Sequence, residues 1–122
     1  MIEIAIVEDD AAIRDSIELV LSDFGWRIRT YGRGEEFLAD LGGYVPDCII
    51  LDPHLPGVSG ADVAQVVAAM HARIAILCLT ARPTSAVTSA VIAAGARAMM
   101  TKPVSVETLV EHIQAALAGR GR

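Results

Sequence analysis

The chain of 122 residues has 53% hydrophobic and 20% charged residues and a formal net charge of −5, a balance that fits one globular domain and excludes a disordered chain. Its apolar runs fall far short of the roughly 20 residues a membrane helix needs. No Lys/Arg cluster offers an electrostatic footprint for DNA or RNA, so a gene-regulatory role would need another domain to touch nucleic acid.

Residues 2–7 form the first apolar run and predict a strand. They carry no basic region or small-residue cleavage site of an export signal, so a cytoplasmic location is expected. Next, Ile13, Ile17, Val20, Leu21 and Phe24 recur at helical spacing opposite Arg14, Asp15, Glu18 and Asp23, and Gly25 stops that helix. A second strand is expected over 26–31, followed by a short helix over 35–41 whose apolar face is Phe37, Leu38 and Leu41. The third strand, 47–51, leads to a helix opened by Ser59 with Asp62 three residues on, bearing Val63, Val66, Val67 and Met70. The fourth strand, 74–79, precedes a helix marked by Val87, Val91 and Ala94 before Gly95. The fifth, 97–101, precedes one marked by Val106, Leu109, Val110, Ile113 and Leu117, with Ser105 as N-cap and Gly119 as C-cap.

Strand and helix thus alternate five times. The third and fourth strands are apolar on consecutive residues, as in parallel sheets covered on both faces, so the expected fold class is α/β, doubly wound. One domain over 1–119 is expected, with 120–122 a tail or the start of a linker. Cys48 and Cys78 sit inside apolar runs without metal-ligand spacing and read as buried thiols.

In open parallel sheets ligands bind beyond the carboxyl ends of the strands. Strand one ends in Glu8-Asp9-Asp10, strand three in Asp52, strand four in Thr80 and strand five in Lys102, the one lysine beside nine arginines. Carboxylates gathered in one crevice repel unless a cation neutralises them, and an oxygen-rich set without His or Cys suits Mg²⁺. Each feature alone has a plainer reading. The acidic triplet could complement a helix dipole, Asp52 could cap a turn, and Lys102 could be solvated.

Taken together, Val7-Glu8-Asp9, Leu51-Asp52 with Leu55-Pro56-Gly57 and Gly60, Leu79-Thr80-Ala81, and Gly95-Ala96 leading to Thr101-Lys102-Pro103 resemble the receiver domain of two-component response regulators. The resemblance covers the whole chain and implies a flavodoxin-like five-stranded parallel sheet of order 2-1-3-4-5. It implies that Asp52 takes a phosphoryl group from a sensor histidine kinase, a phosphotransfer protein or a small phosphodonor. Glu8, Asp9, Asp52 and the backbone carbonyl of His54 would hold Mg²⁺, Thr80 would hydrogen-bond the phosphoryl group, and Lys102 would pair with its charge. No turnover of a metabolite beyond its own phosphorylation and dephosphorylation is expected. Asp10 is expected to stay off the ion and the His54 side chain to be exposed, while His71 and His112 look incidental.

The resemblance further implies an output face on the fourth helix, fifth strand and fifth helix, for a homodimer or an effector. Here that face would include Arg97, Met99, Thr101, Val87, Val91 and Val106. Neither a membrane nor nucleic acid is an expected partner of this domain. Two positions depart from the family. Met99 stands where receivers carry the Tyr or Phe that follows the motion of the Thr80 position, which opens the alternative of a phosphorylation-independent interaction module. Pro53 has no N–H to offer beside the phosphoryl group and stiffens the loop after Asp52, so slower phosphorylation chemistry is expected.

Overall fold

In the computed structural model, which describes residues 1–119, five strands form one parallel sheet. They are β1 (Glu3–Val7), β2 (Arg27–Tyr31), β3 (Cys48–Leu51), β4 (Ala75–Thr80) and β5 (Ala98–Thr101), in the spatial order β2-β1-β3-β4-β5. The connecting helices are α1 (Ala11–Ser22), α2 (Gly34–Asp40), α3 (Gly60–Met70), α4 (Ser85–Ala94) and α5 (Val106–Gly119). This is the doubly wound α/β class, with the expected strand order. The strand limits agree with the apolar runs to within one residue.

Alternation of side chains along each strand sends neighbouring residues into two separate cores. On one face Val7, Ile49, Leu51, Ile76 and Cys78 meet Phe37, Val63, Val67 and Val91 from α2, α3 and α4. On the other Ile4, Ile6, Ile50, Leu77 and Leu79 meet Ile17, Leu21, Leu109 and Ile113 from α1 and α5. β3 and β4 are therefore buried throughout, which explains their unbroken apolar sequences. Each fully buried Ile or Leu contributes roughly 1.5–3 kcal/mol relative to exposure.

Polar residues at helix starts fix where the chain turns. Asp10 caps α1 by accepting from the amides of Ala12 and Ile13, at 3.0 and 3.2 Å. Ser59 caps α3 through the Asp62 amide, and Ser105 accepts from the Thr108 amide at the start of α5, as their spacing implied. Gly25, with φ of 77°, turns the chain after α1 in a backbone region that favours glycine.

Some helical faces differ from the expectation. Phe24 lies past the end of α1, is 43% exposed and stacks on Trp26 with ring centroids 5.4 Å apart. On α3 the inward stripe is Gly60, Val63, Ala64 and Val67, while Val66 and Met70 point outward. That stripe starts on a glycine because α3 begins against backbone: a Cβ on Gly60 would stand 2.4 Å from the Pro53 Cα and 2.8 Å from the Asp52 carbonyl oxygen. Gly119 is the last residue of α5 rather than a cap beyond it, and the expected tail at 120–122 lies outside the described residues.

Candidate functional site

Strand register gathers the site. Val7 stands opposite both Tyr31 and Leu51, Leu51 opposite Cys78, and Thr80 opposite Thr101. The residue after each strand still joins the ladder: the Glu8 amide donates to the Tyr31 carbonyl at 3.0 Å, that of Asp52 to Val7 at 3.1 Å, and that of Lys102 to Thr80 at 2.7 Å. Regular strand geometry thus carries the acids and the lysine to a common edge, where β1 and β3 adjoin at the switch point of the sheet.

Glu8, Asp52 and Thr80 are the buried polar or charged residues among those described, at 3%, 8% and 0% exposure. All three belong to this crevice, and Asp9 beside them is exposed. Glu8, Asp9 and Asp52 each present a carboxylate oxygen within 4.8 Å of the others. Lys102 Nζ bonds both Glu8 Oε1 and Asp52 Oδ2, the latter at 3.0 Å. The other Asp52 oxygen accepts the His54 amide at 2.8 Å.

Burial, opposed by Lys102 and reinforced by Asp52, pushes the Glu8 carboxyl up to about 7. Burial by itself would lower Lys102, but its bonds to Glu8 and Asp52 prevail and raise it, so it remains an ammonium at neutral pH. Burial and the nearby Asp52 charge push the Cys78 thiol up to about 12, which keeps it an unreactive thiol. Three carboxyl groups face one ammonium, so acidic groups outnumber the cation in the crevice. That excess and the all-oxygen donor set fit a hard divalent cation.

Thr80 closes β4 beside Lys102, fully buried, and its Oγ1 accepts the Arg82 amide at 3.1 Å. The Asp10 side chain caps α1, and it is outside the group of carboxylates formed by Glu8, Asp9 and Asp52. The His54 side chain departs from expectation: it is half-buried, with its Nε2 3.2 Å from the Arg82 carbonyl oxygen. A sequence shows no such partner because the bond joins two loops 28 residues apart. Helical spacing places Arg14 on the solvent side of α1, yet its Nη1 donates to the Glu8 carbonyl at 2.7 Å. Helical periodicity separates polar from apolar faces but does not say what a long polar side chain reaches.

On the expected output face, Val91 is fully buried and contributes no surface, since its stripe faces the sheet. Val106 is 44% exposed, Val87 is half-buried, and Thr101 is exposed. Arg97 is exposed but donates to the Ala116 carbonyl at 3.2 Å, tying the start of β5 to the end of α5. Met99, opposite Cys78, is half-buried against the core beneath α3 and α4.

The strand order, with carboxylates, a hydroxyl and an ammonium at one sheet edge, defines a flavodoxin-like α/β domain with a buried acidic crevice. Residues 4–114 match the family described as the response regulator receiver domain, and the chain belongs to that family, the receivers of two-component systems. Among relatives, it is 30% identical to the probable transcriptional regulatory protein TcrX of Mycobacterium tuberculosis, covering 98% of this chain and 51% of that protein. It is 35% identical to the transcriptional regulatory protein AfsQ1 of Streptomyces coelicolor over 96% of this chain and 52% of that one. The chain therefore spans about half the length of these curated relatives.

Solved structures agree. A CheY-like receiver domain protein from Methanospirillum hungatei superposes with a TM-score of 0.93 at 25% identity, covering 97% of this chain and 94% of that one. A response regulator described as putative, from Chloroflexus aurantiacus, gives 0.89 at 32% identity, covering 95% and 97%. Among the described residues, no helix is long and apolar enough to cross a membrane.

Proposed function

We propose that this domain is a cytoplasmic phosphoacceptor. Asp52 takes a phosphoryl group from a phosphohistidine of a sensor kinase or phosphotransfer protein, and the product binds partners differently. The observation that carries this reading is the buried Asp52 carboxylate, held between the Lys102 ammonium and the His54 amide beside two further acids.

Glu8, Asp9, Asp52 and the His54 carbonyl would hold Mg²⁺, which supplies charge neutralisation for phosphoryl oxygens when bound. The rest falls to the chain itself. A carboxylate oxygen of Asp52 forms the new bond to phosphorus as the donor's phosphorus–nitrogen bond breaks, and the imidazole leaves with the electron pair. Lys102, already held in place by Glu8, turns its charge to the added phosphoryl group. Thr80 accepts from Arg82, so its own hydroxyl hydrogen is left to donate to a phosphoryl oxygen. The catalysis is positioning and electrostatics.

Conformational output runs from Thr80 through β5 to α4 and α5. The exposed parts of that face, with Val106 and Thr101, would meet a second copy or an effector. Every charged group the acceptor role needs is in place, which supports a working acceptor over an inert module despite Met99 and Pro53. Incubation with Mg²⁺ and acetyl phosphate, followed by intact mass measurement, tests the reading. One phosphoryl adduct that EDTA abolishes is expected, and no adduct in either condition would count against it.

A further inference from the structure

The loop between β1 and α1 has to hold Glu8 and Asp9 at fixed positions although Asp9 and Asp10 are exposed. Its backbone is gripped from three sides. The Glu8 amide donates to the Tyr31 carbonyl at 3.0 Å, and the Asp10 amide to Glu8 Oε2 at 3.3 Å. The Glu8 carbonyl accepts from Arg14 Nη1 at 2.7 Å, a charge-assisted bond from the first turn of α1 back to the residue that precedes the exposed acids.

A second observation concerns the niche in which that guanidinium lies. Gly32 follows the Tyr31 that anchors the Glu8 amide, and a Cβ at Gly32 would stand 3.3 Å from Arg14 Nη1. The backbone at Gly32 does not have positive φ, so a side chain there would meet no backbone strain, only the tight approach of the guanidinium. Arg14 is half-buried there, its charge facing the end of β1 and β2. Lys102 neutralises the acids through their side chains, while Arg14 acts on the backbone that carries them.

We propose that Arg14 is a positioning residue of the crevice, wedged between the Glu8 carbonyl and Gly32, and that it fixes the β1–α1 loop in the geometry that lets Glu8 and Asp9 share a divalent cation. The inference rests on the metal-binding reading above. A neighbouring cation without a positioning role predicts the opposite sign, because removing a positive charge beside an acidic crevice should tighten Mg²⁺ binding. A positioning role weakens it, and partners that orient metal ligands are typically worth 10- to 100-fold in affinity.

The test uses the whole chain in three forms: parent, Arg14→Ala and Gly32→Ala, the last of which crowds the guanidinium while leaving every charge in place. Amide hydrogen exchange at Asp9 and Asp10 is measured without divalent ion, and Mg²⁺ affinity is measured by chemical-shift titration. Faster exchange at both amides and roughly tenfold weaker Mg²⁺ binding are expected for Arg14→Ala, with a smaller change of the same sign for Gly32→Ala. Unchanged exchange in Arg14→Ala, or Mg²⁺ binding as tight as or tighter than the parent's, would overturn the proposal. If the parent itself takes up no Mg²⁺, the metal-binding reading fails, and the exchange measurement alone decides whether Arg14 fixes the loop.

Discussion

Lys102→Met removes the ammonium that lies against two carboxylates whose side chains are only 4% and 9% exposed. Methionine keeps much of the lysine stem, so lost charge rather than lost volume governs the outcome. Taking one partner from a buried pair costs about 3–5 kcal/mol when the remaining charge must stay ionised. Glu8 has an alternative, since burial already pushes its carboxyl from 4.5 to about 7 and loss of the ammonium moves it higher still. A carboxyl with a raised folded pKa stabilises fully below its unfolded value and loses that stability as pH climbs to the folded one. In the parent this loss ends near pH 7, whereas in the variant it continues above, so the gap between them opens on the alkaline side. Urea unfolding without divalent ions should show a penalty of about 1–2 kcal/mol near pH 6, where a charge-assisted bond is lost, and about 3 kcal/mol or more near pH 8.5. An equal penalty at both pH values would refute the coupling of Lys102 to Glu8.

Asp10→Ala should lower stability by about 1 kcal/mol through loss of the α1 cap, with Mg²⁺ affinity nearly unchanged; thermal unfolding and a metal titration on the same sample separate the two effects. Gly60→Ala should cost about 1–3 kcal/mol, because its Cβ would press on the backbone of Asp52 and Pro53, and chemical shifts of the loop after β3 should move with it. The Tyr44 hydroxyl is buried with no hydrogen-bond partner among the described residues. Tyr44→Phe should therefore be neutral or stabilising by up to about 1 kcal/mol in urea unfolding, and a clear loss of stability would reveal a partner for that hydroxyl.

Much of this architecture could be read from the chain because its signals are local. Buried strands such as Cys48–Leu51 are apolar on every residue, and the switch to an acid, a threonine or a lysine marks the edge where β1, β3, β4 and β5 leave the sheet. Ser59 and Ser105 announce helix starts through hydroxyls whose partners lie three residues on. What stayed hidden depends on distance through space. Val91 and Val66 have the same chemistry, but the packing of α4 and α3 buries one and exposes the other. The His54 ring on the Arg82 carbonyl and the Arg14 guanidinium on the Glu8 carbonyl are side-chain bonds to backbone acceptors, and every residue offers such an acceptor, so no residue type flags them.

The central claim is that Asp52 is the group that becomes phosphorylated. Acetyl phosphate and Mg²⁺ followed by borohydride reduction, which converts an aspartyl phosphate to homoserine, place the modification on one peptide by fragment mass spectrometry. Homoserine at position 52 is predicted for the parent, with none elsewhere, and Asp52→Asn should give no reduced product. Reduction at Asp9 or Asp10 in the parent, or an adduct of undiminished yield in Asp52→Asn, would contradict the account.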